Sequence, residues 1–104
     1  MIVATTDNLP NREITKVLGI VFGSCVQTKH VGKDVRAGLR SVIGGEARSY
    51  TELMEEARRT AMQRMIEDAQ KLGANAIIGM RYATAQTMVG AAELIAFGTA
   101  VKTQ

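Results

Sequence analysis

The side chains in this sequence that could do chemistry are few, and their spacing limits them. Cys25 and His30 are the only thiol and the only imidazole, five positions apart. A mononuclear zinc centre needs three or four such ligands, so one copy of the pair is insufficient and several copies around a symmetry axis would have to pool theirs. Cys25 also sits in the apolar run Val21-Phe22-Gly23-Ser24-Cys25-Val26, where a free thiol behaves as a small hydrophobe. The expectation is a buried thiol and a loop histidine, with metal ligation by Cys25 and His30 as the lesser alternative. Ser24, His30 and Asp34 have the residue types of a hydrolytic triad, but no Gly-x-Ser-x-Gly elbow presents the serine. Gly32-Lys33 resembles the end of a phosphate-binding loop only superficially, because Asp34 stands where Ser or Thr is needed and position 27 is Gln.

The charged candidates have simpler explanations of the same kind. Lys33, Arg36 and Arg40 fall near one another on an expected helix, and Gly44-Gly45-Glu46-Ala47-Arg48-Ser49 leads into the start of the next, where free amides favour anions. A tight helix connection with its own cap accounts for the same residues. Glu93 is the hardest to assign to packing, since it opens a strand that is otherwise apolar. A carboxylate taken out of water needs a partner, and Arg58 or Arg81 of the same or a neighbouring subunit would supply one. Structural pairing is expected there ahead of acid or base catalysis. Met54, Met62 and Met65 recur at helical spacing and read as core filler in a chain without Trp.

The elements that must position these groups belong to one domain, residues 1–104, with 46% hydrophobic and 22% charged residues. The longest charge-free stretch, Val17 to Thr28, is too short to cross a bilayer as a helix. Neither a basic segment followed by an apolar one nor a second cysteine is found, so a reducing, cytoplasmic setting is expected. Thirteen Lys and Arg against ten Asp and Glu give +3, and there are only two Phe, two Tyr and no Trp. Nucleic-acid readers interleave basic residues with more stacking groups, which makes nucleic acid an unlikely partner.

Residues 16–26 are β-branched and aromatic and read as a strand. Strict alternation would put Leu18, Ile20, Phe22 and Val26 on one side, and Val17, Gly19, Val21, Gly23 and Cys25 on the other. The glycines leave room for a close approach. A short helix capped by Asp34 follows, with Val35, Leu39 and Val42 at helical spacing and Gly44-Gly45 stopping it. Ser49 and Glu52 then form a capping box opening a long helix, whose stripe comprises Tyr50, Leu53, Met54, Ala57, Ala61, Met65, Ala69 and Leu72. Glu55 with Arg59 and Glu67 with Lys71 make i, i+4 pairs outside, and Gly73 ends the helix. Residues 74–82 and 93–101 read as strands, residues 83–92 as a loop, and Ile2 to Thr5 as a short edge strand.

The order β-β-α-α-β-β predicts an α+β fold, a mainly antiparallel sheet of three to four strands with two helices on one face. The second face then shows Gly, Val, Ile, Ala or Phe where water would demand polar groups. With no spare element to cover it, another copy of the chain is expected to, in a cyclic oligomer.

In their order and spacing, several strings resemble the YbjQ-like family of small bacterial and archaeal proteins over nearly the whole chain. They are Gly19-Ile20-Val21-Phe22-Gly23, Asp34-Val35-Arg36-Ala37-Gly38-Leu39-Arg40, Gly44-Gly45-Glu46, Tyr50-Thr51-Glu52-Leu53, Glu56-Ala57-Arg58, Leu72 to Arg81 and Gly98-Thr99-Ala100-Val101. The resemblance implies an α+β subunit in a ring-shaped homopentamer. It also brings a provisional heavy-metal label without a ligand set, so a heavy-metal ion is implied by that label alone. The polar motif positions, Asp34, Arg40, Glu46, Tyr50, Arg58, Asn75, Glu93 and Thr99, are mostly hard or hydrogen-bonding groups that suit an anion or polar metabolite better than a soft metal. Phe97 stands where relatives often carry Tyr.

The expected function is that of an oligomeric binding protein, with a small polar ligand or metal ion between subunits near Glu93, Thr99 and residues 83–92. Its rivals are an enzyme with composite sites using Glu93 as acid or base and Arg58 or Arg40 as an anion clamp, and a weak nucleic-acid binder. Elemental analysis of untagged protein is expected to find no stoichiometric zinc, copper or nickel, and finding one would promote Cys25 and His30 to ligands.

Overall fold

The computed structural model describes residues 1–28, 46–88 and 91–104. Along the chain lie β1 (Ile2–Val3), β2 (Ile14–Thr28), α1 (Glu46–Lys71), β3 (Ala76–Met88) and β4 (Ala91–Thr103). The fold is α+β. Its four strands form one sheet in the order β1-β3-β4-β2, mixed because β1 runs parallel to β3 while β3 with β4 and β4 with β2 are antiparallel. The short N-terminal strand therefore sits at an edge, as expected. The helix predicted from Asp34, the second of the two expected on one face of the sheet, lies outside the described residues.

Several boundaries differ from the sequence-based expectation, and β2 runs two residues further at each end than residues 16–26. Residues 83–92 are not a loop: β3 runs through Met88 and β4 begins at Ala91, with Ala83 opposite Ile95 and Ala85 opposite Glu93. Small uncharged residues carry little strand propensity of their own, and the cross-strand ladder overrides it. The helix starts at Glu46, so Ser49 lies within its first turn and is not the cap. Its other end is as predicted. Gly73, at φ 79°, donates to Gln70 O and Ala74 donates to Ala69 O, the paired bonds of a Schellman turn. This turn carries Leu72 off the buried stripe and leaves it 46% exposed.

Ala57, Ala61, Met65 and Ala69 bury the helix stripe, and the core joins the last three to Val21, Ile77, Met80, Ala96 and Ala100. Alanines at the contact let the helix approach the sheet closely, and Gly23 completes the fit. A Cβ at Gly23 would run into the Ala61 carbonyl oxygen and the Met65 amide nitrogen, so helix backbone lies directly on strand backbone. Gly19 has a different role from the one expected. Nothing lies near a Cβ built there, and its φ of 138° belongs to a bulge in the pairing between Val17 and Gly19. The bulge breaks the alternation: Leu18 packs against the core while Val17 is 65% exposed.

The helix also closes part of the sheet's exposed edge. β2 is an edge strand, and the Phe22 amide donates to Asp68 Oδ2 (3.2 Å) while Arg64 Nη1 donates to Ser24 O (2.6 Å). Two outward-facing backbone groups are thereby denied to any incoming strand. On the outer face of α1 Glu55 and Arg59 pair at 3.6 Å as expected, whereas Glu67 accepts from Gln63 Nε2 (3.3 Å).

Gly23→Ala is expected to lower stability by at least about 2 kcal/mol in urea titration, since neither backbone can yield without moving the whole helix. The double substitution Arg64→Ala, Asp68→Ala is expected to cost about 1 to 3 kcal/mol and to hasten aggregation by light scattering, whereas Arg59→Ala does neither.

Candidate functional site

Residues directly opposite in antiparallel strands point to the same face of the sheet, which sorts the candidates into two groups. Val21, Ala96, Ala100 and Ile77 face the helix. On the other face, Ile20 opposes Thr99, Phe22 opposes Phe97, Ser24 opposes Ile95 and Val26 opposes Glu93. β3 continues that face with Ile78 opposite Thr99 and Arg81 opposite Phe97. Ile20, Phe22 and Val26 are 67%, 57% and 53% exposed. The apolar second face expected from the sequence is thus present in the chain, and no described helix lies over it.

Glu93 and Thr99 sit half-buried on this open face. Glu93 has no ion-pair partner among the described residues. Arg58 projects from α1 on the far side of the sheet, and Arg81 Nη1 donates to Thr5 O (2.9 Å) and Met80 O (2.8 Å). Within the chain itself, neither arginine supplies the partner expected for the carboxylate. Asn75 is committed to structure: its Nδ2 donates to Thr103 O (3.1 Å) and its Oδ1 accepts from Thr103 N (2.9 Å), pinning the end of β4 beside the start of β3. Glu46 and Tyr50 fall in the first turns of α1. Asp34, Arg40 and His30 lie outside the described residues.

Cys25 is a free, half-buried thiol opposite Leu94 on the helix-facing side. Among the described residues no group of three or more His, Cys, Asp or Glu could hold a metal ion. Those residues do not fit a soft-metal centre, whose thiolate and imidazole ligands must converge. Nor is any helix among them long and apolar enough to cross a membrane.

A concavity lies on the helix side. A groove of about 580 Å³ is lined by Glu55, Arg58, Arg59 and Met62 with Gln63 and Tyr82. Only Arg58 of these was a site candidate from sequence. Tyr82 was concealed inside an apolar strand and Gln63 on the polar face of α1; the spacing of Arg58 and Met62, one helical turn apart, was the available signal.

Comparison with known proteins agrees with this fold. A family model described as "Putative heavy-metal-binding" matches residues 1–104. A UPF0145 protein of Archaeoglobus fulgidus is 53% identical over 102 residues, covering 98% of this chain and 94% of its own. Those of Methanosarcina acetivorans and Vibrio campbellii are 55% and 54% identical over the same length, covering 98% of this chain and 96% and 98% of their own. A Pediococcus pentosaceus protein of unknown function, from the DUF74 family, superposes with a TM-score of 0.68 at 16% identity over 100% of this chain and 98% of its own, a likeness of fold alone. With a whole-length family match and relatives sharing half of its residues, the chain belongs to the YbjQ family, whose UPF0145 members it resembles from end to end.

Proposed function

We propose that this protein acts as a homo-oligomeric binding protein, in which copies cover one another's open sheet face and a small polar ligand is held at the seam. The observation that carries the proposal is the row Ile20, Phe22 and Val26, each more than half exposed on one pleated surface. Exposed apolar side chains grouped on one face are characteristic of interfaces, and a closed ring such as the homopentamer implied by the family resemblance would cover them in every copy. Capping of the β2 edge by Arg64 and Asp68 favours contact through the face over growth through the edge.

In such an assembly Glu93 and Thr99 lie inside the seam. Glu93 would lose water there and needs a positive or hydrogen-bond-donating partner, from a neighbouring copy or from a ligand. A polar ligand bearing a cationic or donor group fits that requirement better than a soft metal ion. A reducing, cytoplasmic setting suits the single free thiol.

Sedimentation velocity at micromolar concentration is expected to give a species several times the 11.2 kDa chain mass. Phe22→Glu, which adds charge at an exposed position, is expected to convert it to monomer without loss of helix content by circular dichroism. A wild-type chain that stays monomeric at that concentration would overturn the proposal.

A further inference from the structure

We infer that the groove between α1 and β3 is a binding site for a small organic anion with a flat apolar body, its charge on Arg58 and its body against Tyr82 and Met62. The groove is a consequence of how the helix is seated. Backbone contact at Gly23 draws α1 over β2, and the helix extends less over β4 and barely over β3. The flank of β3 is left uncovered at Tyr82, which is 41% exposed. Its partner across the ladder, Ala96, is too small to fill the space beside the ring. The resulting volume, about 580 Å³, falls within the ordinary range for small-molecule sites of about 300 to 1,000 Å³.

Charge decides the class of ligand. The groove holds two guanidinium groups and one carboxylate, and the carboxylate of Glu55 is paired with Arg59 at 3.6 Å. Arg58 has no hydrogen-bond or ion-pair partner among the described residues, so counted over those residues the groove carries one uncompensated positive charge. Its planar donor array matches a carboxylate or phosphate edge in a bidentate fashion. The neighbouring surface is suited to the rest of such a molecule. Met62 offers a polarizable apolar wall, and Tyr82 offers a ring face together with a hydroxyl donor. Gln63 Nε2 is engaged by Glu67, which orients the amide and leaves its oxygen to accept from a ligand donor. This site lies on the side of the sheet opposite Glu93 and Thr99 and does not depend on the proposed assembly.

Titration with 2-naphthoate, followed by its own fluorescence, tests the site. Saturable binding is expected, weakened about tenfold or more by Arg58→Gln, partly restored by Arg58→Lys, and weakened by raised salt. The neutral 2-naphthamide is expected to bind about tenfold more weakly than the acid. A parallel titration with 2-naphthyl phosphate identifies the preferred headgroup, and saturable Arg58-dependent binding of either anion supports the site. Arg58 is an exposed helix residue, so Arg58→Gln is expected to fold, and its unchanged sedimentation would separate loss of the groove from loss of assembly. Equal binding of acid and amide, equal binding by wild type and Arg58→Gln, or no binding of either anion at millimolar concentration would overturn the inference.

Discussion

The contact of helix backbone on strand backbone at Gly23 is the constraint from which much of this structure follows. A side chain at that position would hold the layers apart, and the alanine stripe of α1 would no longer reach Val21, Ala96 and Ala100. Because the layers touch there, the core can be built from alanines packed around Met65, Met80 and Ile77, in a chain that has no Trp. Packing at this density converts small side chains into stability only where no space is left between them.

The same contact orients the rest of α1. With the helix drawn toward the sheet edge, Arg64 and Asp68 reach the outward carbonyl of Ser24 and amide of Phe22. With the helix drawn away from β3, the groove beside Tyr82 stays open. One close approach thus protects one edge and exposes one cleft. It leaves the opposite face of the sheet untouched, since one helix cannot cover both sides of a single layer. The two faces therefore present different chemistry: a partly charged groove on the helix side, and on the other an apolar row bordered by Glu93, Thr99 and Arg81.

Legibility followed the range of the interactions. The long helix and its glycine stop could be read locally, because a 3.6-residue stripe and a left-handed Gly73 are set by neighbours a few positions away. The far ends of β3 and β4 could not, since the alanines and Gln86 there carry little strand preference and outweigh Thr84 and Thr87 until a partner ladder is supplied. The bulge at Leu18-Gly19 was equally hidden: strict alternation placed Leu18 beside Ile20, and the extra residue turned it toward the core. Of the candidate site residues, Glu93 and Thr99 share a face, Arg58 stands behind the sheet, and Asn75 is bound to the end of β4.

By itself the sequence determined the α+β class, the amphipathic helix, the edge strand at Ile2 and the abundance of apolar residues on both sides of the strands, all of which depend on residue type and short-range period. Tertiary structure alone decided which glycine touches the helix, which strand lies at the capped edge and that Arg58 finds no partner among the described residues. Those outcomes depend on distances between residues far apart in the chain, such as Gly23 from Ala61 and Tyr82 from Arg58, and no local period encodes them.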